Sequence, residues 1–352
     1  MASSGRRPWA SAFSVMTLES PIKSVLKRGA LLAAANWQVT LIQFVAEWAF
    51  KLLLSVPLVG GLLLGALVVG QELPALGSVD LRAVIDYIAS TLLAEPTVLG
   101  AFLVSLAIVG LPGSALMFLI KGGTVTVLLA AERAGVAVED PPLRLQVFWS
   151  GAAYSLGRFR DGCLRLFRRY LRLGLLLILV YVASAIAYLM ALFGAGPAPA
   201  ARSDVGWTMT AGAVSLLLVA WITIVNFIYL LVQLIVAAEN CSVRVAAVRA
   251  GRFLWRCRAP VLSVFGIVVV LVMTASVVSF IATAALGVIA FVPLAGLAVV
   301  PLQLLAWLFR GLVFQFIGLS ALSSYLSLYR RYTEAASDVA AADPDMPVFS
   351  EG

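Results

Sequence analysis

The sequence predicts an all-α polytopic integral membrane protein, and three observations carry that reading. Of 352 residues, 62% are hydrophobic and 12% charged, where a soluble chain has about 45–50% and about 25%. So few charges cannot cover a soluble particle of this size, and lipid must solvate much of it. Uncharged runs recur at the length of about 20 residues that a bilayer demands. The 25 basic residues gather in alternate segments between those runs. A net charge of +8 and a pI near 9.7 would point to nucleic acid in a soluble chain. The placement of these charges assigns them to the membrane surface, and no nucleic-acid partner is expected.

Residues 1–38 read as a cytoplasmic N-terminal tail and a basic amphipathic helix, with Glu19, Lys23 and Lys27 along one stripe. No cleavable signal peptide is expected, because the first apolar stretch lies far from Arg6 and Arg7 and is too long. A transmembrane domain over 39–331 follows, with spans at about 52–70, 98–130, 173–193, 207–238, 260–290 and 302–329. Glu47 and Lys51, an i,i+4 pair, precede the first. Pro112 and Lys121-Gly122-Gly123 interrupt the second, and the fourth carries Asn226 and Gln233. From Pro260 to Phe309 no charge occurs, room for one hairpin with its turn around residues 292–296. The sixth span runs through Arg310. Splitting it at Arg310-Gly311 into a seventh helix leaves no room for a turn. Residues 332–352 are acidic and expected to form a disordered tail.

Loop charge sets the orientation. Residues 1–38 hold five basic residues, 131–172 eight, 239–258 five and 330–331 two, whereas loops 71–97 and 194–206 hold only Arg82 and Arg202. The positive-inside rule then places both termini in the cytoplasm. Many Ala and Arg with only four Lys suit a GC-rich bacterial genome, hence the bacterial cytoplasmic (inner) membrane. Cys163, Cys241 and Cys257 fall in the cytoplasmic segments, form no C-x-x-C pair, and read as small reduced side chains.

The inner segments read as amphipathic helices. In 156–173, Leu156, Phe159, Cys163, Leu166, Tyr170 and Leu173 recur at spacings of three and four, with Arg158, Arg165, Arg169 and Arg172 opposite. In 239–258, Val243, Ala247, Ala250 and Leu254 form one face and Arg249, Arg252 and Arg256 another. Such helices lie in the membrane interface. Their arginines either fix topology or bind anionic lipid headgroups, at about 1 kcal/mol per residue. An internal repeat is also expected. One shift of the chain sets Lys23 on Arg244, Arg28 on Arg249 and Phe44 on Phe265; a second sets Pro112 and Lys121-Gly122 on Pro301 and Arg310-Gly311. The middle unit, 141–238, repeats the order of basic helix and hairpin.

Within the spans, Arg310 and Lys121 form a candidate polar site with Glu47, Asn226 and Gln233. A basic group in a bilayer snorkels, pairs or lines a cavity. Lys121 lies near the cytoplasmic interface, whereas the uncharged runs around Arg310 favour burial, with Glu47 as its counter-ion. Gly60-Gly61, Gly65 and Gly70 suit close helix packing. Enzyme signatures are missing. No histidine excludes Ser-His-Asp, Cys-His and His-metal chemistry, and neither a phosphate-binding G-x4-G-K-[ST] nor a G-x-S-x-G occurs. No catalytic residue, cofactor or metal site is expected.

Ala238-Glu239, Ser242, Ala246-Ala247, Gly251, Phe253-Leu254 and the stretch Ala321-Leu322-Ser323-Ser324-Tyr325 to Tyr329-Arg330 resemble a group of uncharacterised bacterial polytopic proteins. These include the membrane domains beside glycerophosphodiester phosphodiesterase domains. The resemblance covers about the last third and brings no catalytic residue. Three functions are compatible with the sequence. The first is a non-enzymatic membrane protein that scaffolds a protein partner or homo-oligomer, or organises anionic lipid. The second is a transporter or channel for a small solute, using Arg310 and broken second and sixth helices. The third is a lipid-modifying enzyme using Glu132, Glu139 and Asp140.

Overall fold

The computed structural model describes residues 20–69, 96–135, 145–194, 204–290 and 295–342, and among them every regular element is helical. Helix α1 (Ser20–Ala35) leads into α2 (Trp37–Val69), followed by α3 (Pro96–Ala134) and the short α4 (Leu145–Ser150). Next come α5 (Leu156–Leu189), which closes in a π turn at Met190–Gly194, and α6 (Asp204–Glu239). The chain ends in α7 (Val243–Arg256), α8 (Arg258–Ala290) and α9 (Ala295–Ala342). Six helices, α2, α3, α5, α6, α8 and α9, are long and apolar enough to cross a membrane. The protein is therefore an all-α polytopic membrane protein.

The second and sixth spans are not broken. Helix α3 runs through Pro112 and Lys121-Gly122-Gly123, and α9 through Pro301 and Arg310-Gly311. In hydrocarbon a break would strand several backbone groups, so the one bond that proline removes costs less. The glycines serve close packing instead. A Cβ on Gly123 would meet Cys163 Sγ at 2.7 Å, and one on Gly122 would meet the Gly162 carbonyl at 3.2 Å. The first spanning helix starts at Trp37, well ahead of the uncharged run at Leu52. The C-terminal segment expected to be disordered from 332 is helical to Ala342. An Arg330–Glu334 pair at 3.2 Å one turn apart and the Thr333 and Ser337 hydroxyls on backbone carbonyls support that extension. Residues 343–352 lie outside the described residues, as do most of the loops carrying Arg82 and Arg202 and most of the turn at 292–296.

Three units of one amphipathic helix and two long helices make up the chain: α1–α2–α3, α5–α6 and α7–α8–α9. In the middle unit the amphipathic helix and first long helix are fused in α5. The second long helix of each unit packs on the amphipathic helix of the next: α3 on α5, α6 on α7, and α9 back on α1. Helices α3, α6 and α9 also touch one another, which closes the ring.

Burial supports the repeat at the residue level. The shift that sets Lys23 on Arg244 also sets Val25 on Ala246, Gly29 on Ala250, Leu32 on Phe253, Asn36 on Cys257 and Thr40 on Val261, and all ten are buried. Asn36 and Cys257 are moreover the breaks between α1 and α2 and between α7 and α8. The shift that sets the α5 N-cap Ser155 on the α7 N-cap Ser242 likewise sets Phe159, Cys163, Leu166 and Tyr170 on Ala246, Ala250, Phe253 and Cys257. The match based on Pro112 and Pro301 does not hold in space. Gly122 faces Gly162 in the amphipathic half of α5, whereas Gly311 faces Phe44 and Trp48 on α2.

The core lies at one end. Pro57 and Val299 apart, the buried residues among those described fall in α1 and the start of α2, the C-terminal parts of α3, α6 and α9, the first halves of α5 and α8, α7, and residues 135–153. We call this the basic end. The other halves of the long helices expose apolar side chains such as Ile108, Leu216, Phe280 and Leu305.

Candidate functional site

Two ion pairs bolt the basic end. Arg28, 3% exposed on α1, donates from Nε to both carboxylate oxygens of Glu132 at 3.0 Å, and from a terminal nitrogen to the Glu132 carbonyl. Ser327 donates to Glu132 Oε2 at 2.8 Å, and Arg330 donates to the Glu132 carbonyl at 2.8 Å. Glu132, itself 3% exposed, is thus satisfied from α1 and α9, as a buried charge must be. In the second bolt, Glu239 at the end of α6 pairs with Arg249 on α7 and accepts from the Tyr329 hydroxyl on α9. Arg28 and Arg249 correspond under the repeat, and both hold an amphipathic helix to a glutamate at a long helix's end. Asn240, at φ 52°, makes the left-handed turn from α6 to α7, a conformation that asparagine tolerates. Its side chain accepts from Arg169 at 2.6 Å.

The bolts free the opposite faces of α5 and α7. On α7 the buried stripe is Ala246, Ala250 and Phe253; of the expected Val243, Ala247, Ala250 and Leu254, Ala250 is in it, Val243 and Leu254 are partly buried against the core, and Ala247 is exposed. Phe253 of that stripe packs on Tyr329 and Tyr332 of α9, which turns this side of α7 inward. Directly opposite, at 100° per residue, stand Trp255, 79% exposed, and Val248, 56% exposed. Arg244, Arg252 and Arg256 flank them, also exposed. On α5, Arg158, Arg165 and Arg172 are exposed with Arg168, and Leu164 stands among them at 66% exposure. An open groove of about 560 Å³ runs between Thr126 of α3 and Ser155, Arg158, Asp161 and Arg165 of α5. Of the expected headgroup arginines, then, Arg169 and Arg249 are half-buried and engaged in the fold, Arg158 is exposed but donates to the Ala153 carbonyl, and Arg165, Arg172, Arg252 and Arg256 are exposed.

The five candidate intramembrane groups do not converge. Arg310 is exposed on the outside of α9, its guanidinium 5.5 Å from the ring centre of Phe314 one turn on. The expected burial and the Glu47 counter-ion are not found there. Glu47 pairs with Lys51 and accepts from Gln315 of α9. Asn226 is exposed and accepts from Tyr181 at 2.5 Å, helping to join α5 to α6. Gln233 is buried, and its carbonyl accepts from Tyr170 at 2.9 Å. Lys121 is half-buried inside the bundle, its ammonium 5.1 Å from the ring centre of Tyr229.

The cysteines are free. Burial pushes the Cys257 thiol up to about 11, against the smaller opposing pull of Arg256, and burial also raises Cys241. Both thiols are therefore protonated near neutral pH. Among the described residues no three metal-ligating side chains form a cluster. No protein family, characterised protein or solved structure matches the chain. Sequence reasoning missed the Arg28–Glu132–Ser327–Arg330 centre. The available signal was Arg28 falling on Arg249 under the repeat, which marks Arg28 as one of a matched pair.

Proposed function

We propose that the protein is a non-enzymatic integral membrane protein that gathers anionic lipid at the cytoplasmic face of a bacterial inner membrane. The carrying observation is the outward face of α7, with Trp255 and Val248 exposed opposite the packed stripe and bordered by Arg244, Arg252 and Arg256. Indole and apolar groups seat a helix at the acyl boundary, while arginines meet phosphates at the same depth. The exposed arginines of α5 around Leu164 extend that surface. With one helix face held by ion pairs and the other left basic and aromatic, a bilayer surface is the natural counterpart.

The other readings have less support. Transport was motivated by Arg310 and broken helices, but Arg310 faces outward and α3 and α9 are continuous. Of the three carboxylates behind the enzyme reading, Glu132 is held in the fold by Arg28, Ser327 and Arg330, and Glu139 and Asp140 lie outside the described residues. The test is lipid selectivity of the reconstituted protein. Spin-labelled phosphatidylglycerol should be enriched over spin-labelled phosphatidylcholine at the protein surface, and added salt should weaken the preference. A variant with R244Q, R252Q and R256Q should lose much of it. Equal partition of both lipids around the wild type would refute the proposal.

A further inference from the structure

The geometry points to a binding site for a phosphate group at Lys121 and Tyr229, where α3 meets α6. Lys121 is half-buried, and among the described residues no acceptor engages its ammonium. Glu47, the carboxylate that acts on it electrostatically, is already held by Lys51 and Gln315. The ring beside Lys121 belongs to Tyr229, which is 7% exposed with its hydroxyl unpartnered. An ammonium has only protons to donate, and an orphaned buried phenol is costly unless it also donates or accepts. Two such groups side by side call for a ligand rich in acceptor oxygens and negatively charged.

Depth identifies the ligand's class. At 1.5 Å per residue, Lys121 lies roughly 37 Å from the start of α3, Tyr229 roughly 37 Å from the start of α6, and Lys51 roughly 27 Å from the end of α2. A hydrocarbon layer is about 30 Å thick, so these groups stand where it ends and phosphates begin. Toward the far ends, α3 and α6 expose Val104, Ile108, Leu216 and Leu217, walls suited to acyl chains. A glycerophospholipid seated there would place its phosphate at Lys121, and a free phosphate ion entering from the basic end would present the same oxygens. This inference is independent of the α7 surface, whose arginines stand on a different helix from Lys121 and Tyr229.

The experiment uses the full-length protein, delipidated in neutral detergent and titrated with phosphatidylglycerol or with inorganic phosphate, with binding read by native mass spectrometry and by competition. The wild type should bind one phosphatidylglycerol tightly. K121Q should bind it roughly ten- to a hundredfold more weakly, the loss of one charge-assisted hydrogen bond. K121R should restore most of the affinity, and Y229F should weaken it less than K121Q does. Displacement by inorganic phosphate would assign the site to the free ion, and resistance to it would assign the site to the lipid. The R244Q/R252Q/R256Q variant should bind this lipid normally, which separates the two proposals. Equal affinity in wild type and K121Q, or binding of neither probe by the wild type, would overturn the inference.

Discussion

The two ends of the bundle are built on different principles. At the basic end, large side chains such as Tyr170, Phe253, Leu166 and Leu234 are fully buried, each contributing about 1.5–3 kcal/mol on removal from water, and two carboxylate–arginine bolts each tie three helices together. At the apolar end the same helices run on with exposed aliphatic faces and open glycines. Water drives packing in the first region. In the second the solvent is as apolar as the side chains, so nothing forces the hairpins together. Stability and specificity therefore concentrate at the basic end, and the apolar end serves as an anchor in lipid.

The sharpest way to break this comparison is to unbolt one end. Replacing Glu132 by Ala strands Arg28 in a buried site and should cost about 3–5 kcal/mol, measured as denaturant unfolding in detergent. Replacing Leu216, 73% exposed on α6, by Ala should change stability by less than about 0.5 kcal/mol. Comparable losses would abolish the distinction. Glycines give a milder version. A Cβ on Gly29 would press on the Ser320 carbonyl at 2.6 Å and on Ser324, so Gly29→Ala should cost about 1–3 kcal/mol. At Gly212, in mid-helix with nothing within 4 Å, the same change should be neutral or slightly stabilising.

A smaller effect separates the ends by pH. In the folded state burial pushes the Cys257 thiol up to about 11, from an ordinary value of 9.0. That contribution to stability is complete below pH 9 and is lost as pH rises from about 9 to 11. Melting temperature should fall over that interval in the wild type and fall less in Cys257→Ala. At pH 8, iodoacetamide should modify Cys257 only after unfolding; rapid labelling of the native protein would contradict its burial.

Class and span number were legible because long uncharged runs have one explanation in a chain this poor in charge. Most of the α5 face was legible too, since the periodicity of Phe159, Cys163, Leu166, Tyr170 and Leu173 matches its buried side, whereas Leu156, expected on the same face, is exposed in the first turn. On α7, Ala247 was placed inside in place of Ala246 and Phe253 was missed, because alanines occur on both sides of that helix and hydrophobicity alone cannot rank them. Arg310 was misjudged for a related reason. Flanking apolar residues report the length of a span but not which side faces lipid. The Glu132 centre was hidden because its partners lie far apart in sequence, at Arg28, Ser327 and Arg330. Pro112 and Lys121-Gly122-Gly123 suggested a broken helix, where soluble-protein rules overstate what proline and glycine do in hydrocarbon.

The central claim is that the basic end rests on the membrane surface through the outward face of α7. Quenching of Trp255 fluorescence, taken as the difference between wild type and W255F in bilayers containing brominated lipid, tests it most directly. Trp255 should be quenched by brominated lipid, more strongly when that lipid is phosphatidylglycerol than when it is phosphatidylcholine, and should be shielded from aqueous iodide. A Trp255 signal that iodide quenches freely and brominated lipid leaves untouched would place that face in water and contradict the account.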